Sequence, residues 1–112
     1  MDVSRGDIVL VAAKGEFTGK PRPAVVVQAD LFNPAHGSVT LCLLTSELRD
    51  APLFRPTVSP SVGNGLSAAS QVMVDKLVTV RRESLHKRVG RLDPVSMSDI
   101  DRALRLWLQL DG

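Results

Sequence analysis

Residues 15 to 22 read GEFTGKPR and run directly into the apolar stretch PAVVVQ. Gly15, Gly19 and Pro21 give this segment the character of a loop between two strands. Arg22 sits where the loop becomes strand, with its backbone stiffened by Pro23. A guanidinium held this way is a positioned charge. Taken alone, pairing with a carboxylate accounts for it as well as a functional role does.

Other reactive side chains are few. His36 and His86 are the only histidines, far apart in sequence, and neither has the spacing of a metal site or a nucleophile triad. A histidine pair serving as acid and base on RNA stays open at this stage. Cys42, the single cysteine, lies inside VTLCLLT, which excludes an intramolecular disulfide and any cysteine-based metal motif and suggests a reducing compartment. GNGLSAAS is glycine-rich but lacks the lysine and spacing of a phosphate loop, so it reads as a turn. No metal and no cofactor are expected.

At 112 residues, 44% of them apolar, the chain is expected to form one domain, 1–112, around one core. It shows no internal repeat or low-complexity tract. MDVSRGD lacks the pattern of a leader, and no stretch has the length of a membrane span, so a cytoplasmic location is expected. The net charge of +2 is unevenly spread: residues 1–60 carry six basic and six acidic side chains, whereas residues 76–91 carry six basic and one acidic. That second segment, KLVTVRRESLHKRVGR, favours polyanions, although a solvated basic face has the same composition.

The elements that must position these groups are mostly strands. GDIVLVAA (6–13), RPAVVVQA (22–29) and GSVTLCLLT (37–45) are rich in β-branched residues and bounded by Gly, Pro and Asn. Shorter candidates follow at 56–59, 71–74, 77–80 and 87–90, which together suggest a small barrel. Only the C-terminal segment has a helical period, through Ile100, Ala103, Leu104, Trp107 and Leu108, with Ser96 and Asp99 resembling a capping box. Leu106 and Leu110 fall off that stripe. The helix therefore carries more apolar surface than one contact needs, which implies a second buried face such as a dimer seam.

The order RGDIVLV (5–11), a Gly-rich loop, GKPRPAVVVQ (19–28), LLTS, VDKLVTV and a final helix resembles the MazF/PemK family of toxin endoribonucleases over nearly the whole chain. The resemblance implies a mainly β fold with a C-terminal helix, a small SH3-like barrel of the MazF/CcdB type. It also implies a homodimer that cleaves single-stranded RNA at a short sequence without metal and is neutralised by a cognate antitoxin. In the family the RNA's own 2′-hydroxyl attacks the adjacent phosphate, giving a cyclic phosphate and a 5′-hydroxyl end.

Carried over by motif, the catalytic residues are Arg22, the arginine of the RP pair, and Thr45, the threonine closing the third strand. A fixed cation and a hydroxyl donor suit negative charge developing on phosphorus oxygens. Glu16 is a weaker catalytic candidate, one position from where the RP alignment places a glutamate in some relatives. Lys14, Phe17, Thr18, Lys20, Ser46 and Lys76 are the expected RNA contacts. Phe17 could stack on an unpaired base, and Lys76 stands where relatives tend to have glutamine.

Two rivals remain. One is a non-enzymatic inhibitor on the same fold, like the gyrase poison CcdB, which grips a protein. The other is a plain nucleic-acid-binding barrel. The first is disfavoured by Trp107, which lies within the helix stripe rather than at the chain end, and both leave the Arg22 and Thr45 spacing unexplained.

Overall fold

The structure is a computed structural model that describes residues 1–12 and 20–110. Its strands are β1 (Asp7–Val11), β2 (Arg22–Val26), β3 (Ser38–Thr45), β4 (Thr57–Val58), β5 (Ser70–Arg81) and β6 (Leu85–Arg91), followed by the helix α1 (Pro94–Leu108). All six strands join one sheet in the order β4-β5-β3-β2-β1-β6, and every neighbouring pair is antiparallel. The sheet forms a half-barrel. Its two edges are bridged by the loop after β4, where the Arg91 N–H donates to the Gly63 carbonyl at 2.9 Å.

Strand alternation sorts the core into two faces. Ile8, Val25, Cys42, Leu44, Val72 and Val74 pack with Ile100 and Ala103 of α1. Val9, Val11, Ala24, Val26, Val39 and Leu41 form a second cluster. Burial pushes the Cys42 thiol up to about 12, which makes it a packing residue rather than a nucleophile.

The RGD motif is structural. Gly6 adopts a positive φ of 97°, closing a turn in which the Ser4 N–H donates to the Asp7 carboxylate at 2.8 Å. Asp7, 1% exposed, takes Arg91 at 2.8 Å and so ties β1 to β6. Arg5 fastens the same turn to the helix. It donates to the Val27 carbonyl at 2.9 Å and to Asp101 at 2.6 Å.

The structure corrects three expectations. The stretches 71–74 and 77–80 belong to one strand, because Asp75 and Lys76, read as a break, sit in a bulge. Two steps along β3, from Cys42 to Leu44, are matched by five along β5, from Leu77 to Val72. The helix cap is Asp93, not Ser96: the Asp93 carboxylate accepts from the Ser96 N–H at 3.3 Å and from its hydroxyl at 2.6 Å, and Pro94 occupies the first helical position. Finally, the helical stripe splits along its length. Ile100 and Ala103 are buried, while Leu106, Trp107, Leu108 and Leu110 are exposed. No helix among the described residues is long and apolar enough to cross a membrane.

GNGLSAAS proves more than a solvated turn. Asn64 is buried and accepts from the Ser61 and Leu66 N–H groups, both at 3.0 Å, while donating to the Ser59 carbonyl at 2.9 Å. Its backbone lies against Gly90 so closely that a Cβ there would collide with the Asn64 carbonyl. Gly90→Ala should therefore lower stability by about 2 kcal/mol. Urea denaturation of wild type and variant checks this.

Candidate active site

The site begins at a fork in the sheet. β2 and β3 pair through Val26 with Leu41, Val25 with Cys42 and Ala24 with Leu43, and the pairing ends there. The next residue of β2 is Pro23, which has no N–H to donate. Beyond it each strand stays held from outside: Arg22 is paired with Val11 of β1, and Thr45 with Gln71 of β5. Continuing the β2–β3 register past Pro23 sets Arg22 across from Thr45 on the same face. The sheet opens between them.

A cavity of about 290 Å³ fills the opening, lined by Arg22, Pro23, Leu44 and Thr45 at the fork and by Ser46, Leu66, Ser67, Ala68 and Ser70 around it. A second, of about 160 Å³, is strongly charged: Arg22 and Thr45 share it with Glu47, Arg49, Arg55, Met73 and Lys76. A third, of about 760 Å³, has mainly apolar walls from Val11, Leu43, Val78 and Val80, with Arg22, Arg81 and His86 among its charged or titratable groups. Arg22 borders all three cavities. It is half-buried, and its backbone is held by its pairing with Val11 of β1.

Thr45 is equally constrained. Its hydroxyl oxygen accepts the Glu47 N–H at 3.1 Å, which leaves the hydroxyl proton to be donated toward the cavity. Gln71, 5% exposed, braces the chain just beyond: it accepts from the Arg49 N–H at 3.0 Å and donates to the Arg49 carbonyl at 2.8 Å.

The structure brings together Arg22, Thr45, Ser46 and Lys76 from the residues expected on sequence. Lys20 is exposed just ahead of β2 and is not among the residues lining these cavities. Lys14, Glu16, Phe17 and Thr18 lie outside the described residues. His86 borders the large cleft, whereas His36 is exposed beside the 29–36 turn and offers its carbonyl to Arg82.

Sequence reasoning missed Arg49, Gln71 and above all the Arg55–Asp75 pair. Arg55 meets Asp75 through two parallel bonds, Nε to Oδ1 at 3.0 Å and a terminal nitrogen to Oδ2 at 2.9 Å, with side chains 7% and 17% exposed. The signal was present. An arginine between Phe54 and Pro56, and a carboxylate interrupting the apolar run QVMV–LVTV, each need a partner when buried.

The Arg55 hydrogen bonds, opposed by burial, hold the Asp75 carboxyl below its usual value of 3.8. A carboxyl lowered in the folded state binds its proton less readily there than in the unfolded chain. The pair thus stabilises above about pH 4 and loses its contribution as pH falls through the lowered value. Arg55→Ala should cost about 3 kcal/mol at neutral pH and leave Asp75 buried without its partner. In wild type the urea midpoint should fall below about pH 4. That acid-side loss should be smaller in Asp75→Asn, as urea titrations from acid to neutral pH will report.

A curved antiparallel sheet with a terminal helix, opened at a cationic, hydroxyl-bearing fork, defines a small, mostly β half-barrel protein. Comparison with known proteins narrows that class. The chain belongs to the family of PemK-like, MazF-like toxins of type II toxin–antitoxin systems, whose model matches residues 4–108. It is 47% identical over 108 residues to a probable endoribonuclease MazF of Mycolicibacterium smegmatis, covering 96% of this chain and 98% of that one. It is also 31% identical to endoribonuclease MazF6 of Mycobacterium tuberculosis, over 98% of this chain and all of the relative.

Among solved structures, a mycobacterial endoribonuclease in complex with its cognate antitoxin superposes with a TM-score of 0.82 at 24% identity, covering 98% of each chain. MazF in a MazE–MazF structure from Deinococcus radiodurans gives 0.78 at 19% identity, over 99% of this chain and all of that one. These two likenesses establish the fold.

Proposed function

We propose that the protein is the toxin of a toxin–antitoxin pair, a cytoplasmic endoribonuclease that cleaves single-stranded RNA at the β2–β3 fork. Residues 1–112 act as one domain of the SH3-like barrel type. The observation that carries this reading is the fork itself, with Arg22 bordering three cavities and Thr45 facing it. Family membership and relatives named as endoribonucleases supply the reaction class.

The geometry supports a direct route. RNA carries its own nucleophile, so the protein has to fix the backbone and stabilise charge. The 2′-hydroxyl oxygen gives up its proton to solvent and bonds to the adjacent phosphorus, while the bond from phosphorus to the 5′-oxygen breaks and that oxygen takes a proton from solvent. The products are a 2′,3′-cyclic phosphate and a 5′-hydroxyl. The Arg22 guanidinium faces the non-bridging oxygens, and the Thr45 hydroxyl donates to one of them. Asp75 is a poor choice of base, because both its oxygens are committed to Arg55. Ser46 and Lys76 contact the flanking nucleotides, and Lys14, Phe17, Thr18 and Lys20 extend that contact along the first loop, with Glu16 a further candidate there.

Arg22→Ala and Thr45→Ala should each reduce cleavage of a single-stranded oligoribonucleotide by about 100-fold or more while leaving the circular dichroism spectrum unchanged. EDTA should leave the wild-type rate unaltered. Undiminished cleavage by Arg22→Ala removes this mechanism, and loss of activity in EDTA removes its independence of metal.

The regulation follows from the same charges. Cations placed for a phosphate backbone also suit an acidic peptide, so the cognate antitoxin competes with RNA for the fork. The exposed Leu106, Trp107, Leu108 and Leu110 support a homodimer whose subunits share the RNA groove. Trp107 packs against Phe54 with ring centroids 5.4 Å apart, which places it within the helix surface rather than on a free tail suited to a CcdB-like grip. Sedimentation at micromolar concentration should give about twice 12.1 kDa. A monomer at that concentration would contradict the shared groove.

A further inference from the structure

We infer that the buried Arg55–Asp75 pair is a positioning device for substrate selection, which clamps the β5 bulge so that Lys76 faces the fork. The inference rests on the endoribonuclease reading and concerns how that site chooses RNA.

Three observations converge on it. The irregularity in β5 falls at residues 73–76, where the strand carries more residues than β3 can match. A bulge re-aims side chains and is free to shift unless something fixes it. The fixing comes from the 51–56 turn: the Val72 N–H donates to the Pro56 carbonyl at 2.9 Å, the Val74 N–H to the Phe54 carbonyl at 3.3 Å, and Arg55 grips Asp75 with its two-point fork. The result appears in the charged cavity, where Met73 and Lys76, at the two ends of the bulge, stand with Arg22 and Thr45.

The chemistry favours positioning over a second catalytic cation. Arg55 spends its Nε and one terminal nitrogen on Asp75, and the pair is largely shielded from water. Lys76, by contrast, is exposed and makes a flexible point charge, useful against a phosphate or a base edge only if its strand is held. A planar guanidinium on a carboxylate fixes both distance and orientation. Lysine at position 55 would keep the charge and lose the orientation.

The test is steady-state cleavage of a single-stranded oligoribonucleotide containing the site cut by wild type, with cleavage sites mapped on a longer transcript. Arg55→Lys and Asp75→Asn should each raise KM by about tenfold, hold kcat within about threefold, and broaden the set of sites cut. Lys76→Ala should raise KM in the wild-type background and add almost nothing on top of either variant, the signature of residues acting as one unit. If Asp75→Asn fails to fold, Arg55→Lys carries the same double-mutant comparison.

A fall in kcat at unchanged KM would overturn the inference by placing the pair in the chemical step. Fully additive effects with Lys76→Ala, or unchanged site selection, would reduce the pair to a structural tie. A wild-type protein that leaves RNA intact would fail the functional reading itself, an outcome distinct from these.

Discussion

The antiparallel register between β2 and β3 is the constraint on which the molecule depends. It sets Ala24 against Leu43 and, by extension, Arg22 against Thr45. A slip of one residue would turn each strand over, sending Arg22 toward the helix-side core and Val25 into the cavity. Both strands divide their apolar side chains between the two core clusters, Val25, Cys42 and Leu44 on one face and Ala24, Val26, Val39 and Leu41 on the other, so a slip would break both and the hydrophobic pattern also fixes the site. Pro23 contributes by omission. Without its N–H the ladder stops one step early, and the opening left between two strands, each anchored from outside, is the cavity.

The remaining structure serves to hold this fork rigid. Arg5 and Asp7 tie the first strand to the helix and to β6, which keeps β1 in place behind Arg22. Gln71 locks the chain beyond Thr45, and the loop around Asn64, wedged against Gly90, supplies the far wall through Leu66, Ser67 and Ala68. The rigid parts are local hydrogen-bond networks rather than core packing alone. Such placement suits catalysis by electrostatic stabilisation, where donors must stand ready before charge develops.

Much of this was legible in the sequence. Strand positions followed from β-branched runs and their punctuation, and Arg22 drew notice because proline and glycine isolate it at a strand start. Thr45 was reached only through family resemblance, since one threonine at a strand end carries no signal by itself. Arg55 and Asp75 stayed hidden because they lie twenty residues apart and meet through a bulge that hydrophobic period cannot reveal; the same bulge made one strand read as two. Asp93 was passed over in favour of Ser96 because two serines and two aspartates crowd the helix start, and only the position of Pro94 decides among them.

For cleavage at the fork, RNA has to present its scissile phosphate to Arg22 and Thr45. The most direct measurement is a crystal structure with an oligoribonucleotide carrying a single 2′-deoxy sugar at the cleaved position, which removes the attacking hydroxyl and leaves the rest of the substrate intact. This oligonucleotide should bind uncut, with a non-bridging phosphate oxygen within hydrogen-bond reach, about 3 Å, of both the Arg22 guanidinium and the Thr45 hydroxyl. A phosphate lodged elsewhere on the sheet, or cleavage of the 2′-deoxy strand at the same position, would contradict it.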